Sequence, residues 1–282
     1  MKVIKIWLCI LPIFLYTCSV TFAAPAGNPS DPKMPRGASL FNLNHTIGTV
    51  KMGFDIEYIK ERSLKSSEDI IEPELKGDWY LVRLGYPMFE GILEPYLKLG
   101  VSELEIKWQQ YGSNIVMKGD VDLAWGLGAQ LLVYEIPDYD IKFTIDGQYR
   151  ATEPDIDDVS VNIPSRSVTA SDFDVRDWQI VAIASMELPL NQLGQGIRKR
   201  RRARKTNIYT LVPYVGLGYS NTDIDGRFTY NGVDYDIGDA RGDDKLVLLG
   251  GCNLVFPENA SVNVEARLIS EVSMSGGATF KF

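Results

Sequence analysis

From residue 47 onward the chain alternates with a period of two, and this pattern constrains the fold more than any other feature. Val50, Met52, Phe54, Ile56 and Tyr58 interleave with Thr49, Lys51, Gly53, Asp55 and Glu57. Tyr80, Val82, Leu84 and Tyr86 alternate with Leu81, Arg83 and Gly85. Further apolar rows run through Leu123, Trp125, Leu127, Ala129, Leu131 and Val133, and through Trp178, Ile180, Ala182, Ala184, Met186 and Leu188. Phe143, Ile145 and Tyr149 oppose Lys142, Thr144, Asp146, Gln148 and Arg150, while Val262, Val264, Ala266 and Leu268 oppose Ser261, Asn263, Glu265 and Arg267. Successive side chains on a strand point to opposite faces, so each segment has one apolar and one polar face. No amphipathic helix stands out. The pattern predicts an all-β chain with ten strands over 48–60, 78–87, 95–107, 121–135, 141–151, 173–188, 207–220, 244–256, 260–270 and 273–282.

Several of these segments reach ten residues or more, against the ~5–6 usual in soluble sheets. A tilted strand crosses a bilayer in about 9–11 residues. The connectors alternate in size. Residues 87–94, 135–140 and 256–259 are short, whereas 61–77, 108–120, 152–172 and 221–243 are long and polar. The 189–206 connector and the two-residue 271–272 link break that alternation. Tyr58, Tyr80, Trp108, Tyr111, Trp125, Tyr149, Trp178 and Tyr219 fall near the long-loop ends. Tyr86, Phe89, Tyr96, Tyr134, Tyr209, Phe256 and Phe282 fall near the short-turn ends. Two aromatic girdles suit two membrane interfaces. The expected fold is therefore a transmembrane antiparallel up-and-down β-barrel of about ten strands, with eight or twelve as the neighbouring counts. A soluble β-sandwich with core aromatics is the alternative, and it has no need of strands this long.

Residues 1–23 read as a secretory signal peptide: two lysines, an apolar run from Ile6 to Leu15, then small residues before a cut after Ala23. A membrane anchor is the competing reading, but the run is shorter than the ~20 residues a spanning helix needs. A lipoprotein reading through Cys18 has Thr17 in an unfavourable position. Residues 24–46 are Pro-rich and aperiodic, an expected periplasmic leader, and 47–282 form the barrel. Removing 23 of the 282 residues leaves Cys252 as the single cysteine and takes away two lysines and no acids, moving the net charge from −8 to −10. An exported, acidic chain with no disulfide fits a bacterial envelope. No cofactor and no metal centre is expected.

The last strand carries a resemblance. Met274, Gly276, Ala278, Phe280 and Phe282 occupy every second position up to the final residue. This ending resembles the terminal strand of bacterial outer-membrane β-barrel proteins. The resemblance implies that Phe280 and Phe282 form an assembly signal read by the barrel-assembly machinery, and that the protein resides in the outer membrane among lipid and lipopolysaccharide.

If the apolar rows face lipid, Lys51, Asp55, Glu57, Arg83, Lys98, Lys142, Asp146, Arg150, Glu265, Arg267 and Lys281 point into the lumen. A ten-stranded lumen is narrow, and charges in it must pair or stay hydrated. A structural lumen of charge pairs and a narrow, weakly selective pore both satisfy that requirement. The barrel enzymes generally use a histidine, and His45 lies ahead of the first strand, so no enzyme is expected. Acidic residues crowd the 152–172 and 221–243 loops without completing a calcium loop. Within the latter, Asn231-Gly232 signals a type I′ hairpin that carries two strands beyond the membrane as a ribbon. The run Arg198, Lys199, Arg200, Arg201, Arg202, Arg204 and Lys205 is placed in a periplasmic turn, where it can meet lipid headgroups or an acidic periplasmic polymer. Nucleic acid is not an expected partner behind a signal peptide, and a monomer is expected.

Overall fold

The computed structural model describes residues 50–66, 70–110, 113–161, 169–190, 209–230, 233–236, 240–243, 245–257, 259–269 and 271–282. The signal peptide, the leader with His45, the basic run 198–205 and the Asn231-Gly232 turn lie outside these residues. Among the described residues fifteen strands form one antiparallel sheet. They are β1 (Lys51–Lys65), β2 (Ile70–Gly85), β3 (Leu93–Gln110), β4 (Ser113–Gly119), β5 (Asp122–Ile136), β6 (Ile141–Thr152), β7 (Ile156–Val161) and β8 (Thr169–Met186). The remainder are β9 (Leu188–Pro189), β10 (Thr210–Tyr230), β11 (Val233–Asp236), β12 (Ala240–Gly242), β13 (Leu246–Val255), β14 (Ala260–Ile269) and β15 (Glu271–Lys281).

Ten of them close a barrel in the order β1-β2-β3-β5-β6-β8-β10-β13-β14-β15 and back to β1. The closing ladder runs from Lys51↔Lys281 to Arg62↔Glu271, and the Phe282 amide donates to the Val50 carbonyl at 3.1 Å. Neighbours in the wall follow chain order, which is the up-and-down topology. The period-two rows explain the facing. Met52, Phe54, Ile56 and Tyr58 are exposed on the outside while Lys51, Asp55 and Glu57 are buried inside.

The upper wall, beyond the long-loop girdle, departs from the sequence reading. The spans 61–77, 108–120, 152–172 and 221–243 were expected to be polar loops, yet much of what is described there is strand. β4 leads down into β5, and β6 leads up into β7. The β4–β7 ladder (Met117↔Val159) continues the β5–β6 ladder above a break at 120–121 and 153–155. The β14–β15 hairpin is short, its two strands ending and starting at Ile269 and Glu271. Glu271 and Val272 are thus ladder residues rather than a connector. Above that hairpin β12 arches across and pairs with β1 (Leu64↔Gly242) and with β10 (Ile224↔Ala240). The ring of ten therefore narrows to eight wall elements.

That narrowing decides what fills the interior. Eight strands enclose a space that side chains can fill, and here Trp79, Leu104, Ile106, Trp108, Met117, Phe173 and their neighbours pack into an apolar cluster. Trp108 is a correction: it is 2% exposed in this cap and does not belong to the outer girdle. Tyr96 is another, turned inward with 5% exposure. The remaining described girdle aromatics include Tyr58, Tyr80, Trp125, Trp178 and Tyr219 at one end and Tyr86, Tyr134, Tyr209 and Phe282 at the other, all exposed. The β10–β11 ladder (Arg227↔Asp236 to Tyr230↔Val233) forms a ribbon above the rim.

Candidate functional site

Below the cap the same inward face is ionic. Lys51, Asp55, Glu57, Arg83, Lys98, Lys142, Asp146, Arg150, Glu265 and Arg267 are all buried in the lumen. Arg62, Glu94, Asp177 and Glu271 join them. These fourteen described residues are seven cations and seven carboxylates, so their formal charges cancel.

Their contacts form two linked groups. Toward the short-turn end, Glu94 on β3 takes Lys51 from β1 and Arg83 from β2, the latter at 3.0 Å. The Arg83 guanidinium lies 4.1 Å from the centre of the Tyr96 ring. Lys98 donates to Gln148 at 2.8 Å and stands 3.5 Å from Asp55. Lys142 pairs with Glu187 at the edge.

The second group crosses the lumen. Arg150 on β6 binds Glu57 on β1, four strands away around the ring, and also binds Asp177 on β8 at 2.6 Å. Arg62 on β1 reaches Asp177 at 3.2 Å, and pairs with Glu271. Thr222 donates to Asp177 at 3.0 Å. Arg267 on β14 meets Glu265 at 3.0 Å and Glu271 at 3.6 Å, and it donates to Gln179 on β8. Each buried charge here is opposed by another, the condition under which ions persist in a dry interior. The Arg150 guanidinium also lies 4.3 Å from the Trp79 ring centre, joining the network to the cap above it.

Two tyrosines repeat one arrangement. Tyr96 on β3 is registered with Gly128 on β5 and donates to Asp146 on β6 at 3.0 Å. Tyr214 on β10 is registered with Gly251 on β13 and donates to Glu265 on β14 at 3.0 Å. A Cβ at Gly128 or Gly251 would stand 2.4 Å from the ring, so only glycine lets the ring lie flat on the adjacent strand.

The sequence reading missed Arg62, Glu94, Asp177 and Glu271. Glu94, Arg62 and Glu271 fell in spans read as connectors. Asp177 was in phase with the polar face opposite Trp178 and Ile180 and could have been found. Phe280 and Phe282 point outward. Among the described residues no group of three or more His, Cys, Asp or Glu side chains is arranged to hold a metal ion.

No protein-family model and no curated protein matches the chain. Among solved structures, the transport unit of the autotransporter AIDA-I from Escherichia coli is similar at 11% identity, with a TM-score of 0.37, covering 86% of this chain and 93% of that one. The translocator domain of the autotransporter NalP from Neisseria meningitidis is similar at 13% identity, with a TM-score of 0.40, covering 85% and 91%. Both superpositions are loose, and nothing about this chain's role follows from them.

Proposed function

We propose that the protein is an outer-membrane β-barrel with a sealed lumen, acting as a structural or surface-interaction element rather than as a channel or an enzyme. The observation that carries this reading is the pair of cross-lumen ties, Glu57–Arg150 and Arg62–Asp177, which join opposite walls. A conducting barrel needs a continuous hydrated path, whereas here guanidinium groups bridge the interior and the apolar cap lies above them. Membrane residence is supported by the exposed apolar rows, the aromatics at both ends of the strands and the outward Phe280 and Phe282. Single-channel recording in planar bilayers tests the reading. The unmodified barrel is expected to show no steady conductance, and stable open currents would establish the narrow-channel alternative.

A further inference from the structure

The lower end of the lumen, at the short turns, is closed where a ten-stranded wall leaves room for an open mouth. Ser185 on β8, Val212 on β10, Asn253 on β13 and Ser261 on β14 face inward there, each within two residues of its strand end. On the other side of the mouth Ile92, just ahead of β3, is tied to Leu132 on β5, whose amide donates to the Ile92 carbonyl at 2.8 Å. All six are 0–7% exposed. Short side chains cannot meet across a ring of ten strands, and three of these are aliphatic groups at an end that opens to water. The Thr144 hydroxyl on β6, also buried, has no hydrogen-bond partner among the described residues. A cover with both apolar and polar groups fits this end of the lumen.

Two stretches of this chain start from the mouth. The run 198–205 belongs to the connector between β9 and β10, and its seven cations suit a mouth of opposite sign. Here Lys51, Arg83 and Lys142 outnumber Glu94 and Glu187, and like charge disfavours that run. The stretch ahead of β1 differs. Residues 37–49 carry no Asp, Glu, Lys or Arg, and Leu40, Phe41, Leu43 and Ile47 alternate with Ser, Asn and Thr. They join the wall at Val50, whose carbonyl accepts from the Phe282 amide. Val212 lies four strand spacings from β1 around the ring, ~19 Å, and Leu132 lies three the other way. Nine residues separate Phe41 from Val50, a reach of up to ~30 Å.

We propose that residues 37–49 turn back at Val50 and plug the lower mouth, laying Leu40, Phe41 and Leu43 on Ile92, Leu132 and Val212. The ionic ties and the apolar cap close the lumen from the middle upward, and this segment closes the opposite end. The proposal deepens the sealed-lumen reading, and the two fail separately in the test.

The test is cysteine labelling of the folded barrel, with Cys252→Ser as the background. Leu43→Cys is expected to react with a charged maleimide about tenfold more slowly than Ser30→Cys in the same leader, and at the same rate in urea. A short bis-maleimide is expected to join Leu43→Cys to Val212→Cys, inside the wall, and not to Val215→Cys, on its outer face. Equal labelling of Leu43→Cys and Ser30→Cys, or a cross-link to Val215→Cys alone, would overturn the plug. Protection at Ile197→Cys with Leu43→Cys labelled freely would give the mouth to the basic connector and overturn it too. Planar-bilayer recording of the same preparation separates the two readings. Steady current with Leu43→Cys protected removes the sealed lumen alone, and silence with Leu43→Cys labelled freely removes the plug alone.

Discussion

The lower lumen and the cap above it share the inward faces of β1, β2, β3 and β8, yet one is ionic and the other is apolar. β1 shows the switch within one strand: Asp55 and Glu57 face inward below, Ile59 and Leu64 above. The difference follows the cross-section. Ten strands leave a space too wide for aliphatic side chains to fill, and long arginines and carboxylates can span it while satisfying one another. Once β12 arches over the β14–β15 hairpin and eight elements remain, ordinary apolar packing fills the interior. The charged layer ties the walls together, and the apolar layer closes the end.

The division of labour can be broken from either side. Arg150→Ala is expected to have the largest effect, because it strands Glu57 inside the barrel and leaves Asp177 with Arg62 as its one remaining cation. Removing one partner of a buried ionic cluster costs about 3–5 kcal/mol. Urea unfolding in detergent micelles measures that loss, and a leak in planar bilayers is expected to accompany it. Leu104→Ala in the cap is expected to cost about 3 kcal/mol through the cavity it leaves, with no leak. A leak in the Leu104 variant and none in the Arg150 variant would reverse the roles assigned to the two layers. Tyr214→Phe removes one hydrogen bond to the Glu265 carboxylate and keeps the ring over Gly251. A loss of about 2 kcal/mol is expected, measured by the same unfolding, and a neutral result would show that the ring alone matters.

The smallest effect is expected at the upper rim, outside the membrane span. Burial pushes the Glu105 carboxyl up, but Lys107 at 2.8 Å and Lys118 at 3.4 Å outweigh it and hold the group below its ordinary range. A depressed carboxylate contributes stability above its unfolded value of about 4.3 and loses it as pH falls through the folded value. Glu105→Gln is expected to cost less than about 1 kcal/mol at neutral pH and to flatten the acid limb of the stability profile. An unchanged acid limb would show the rim pairs to be idle.

The barrel was legible because its signal is repeated. Each outward row states the facing of its strand, and ten rows state the closed wall. The lumen charges followed from phase alone, as with Lys98 and Asp146. Phase failed where the ladder slips. The β1 ladders to β2 and β15 shift between Ile59 and Arg62, so inward positions change from odd to even numbers and Arg62 fell out of the pattern. The cap was illegible for a different reason. Ile115, Met117 and Val159 lie in short segments that look like loops until the neighbouring strands are in place. Trp108 and Tyr96 were misassigned because an aromatic near a strand end reads alike whether it faces headgroups or the lumen.

β10 runs for 21 residues, ~70 Å at a strand rise of about 3.3 Å. It pairs with β8 from Tyr214↔Ser185 up to Thr229↔Thr169. A pull on its outer tip along the strand axis loads those hydrogen bonds in shear, all at once, instead of peeling them one by one. The load then passes through Asp177 on β8 to Arg150 on β6 and Arg62 on β1. Anything that grips the ribbon from outside therefore pulls on a mast stepped into the braced hull of the barrel, and force delivered there is shared by the opposite wall.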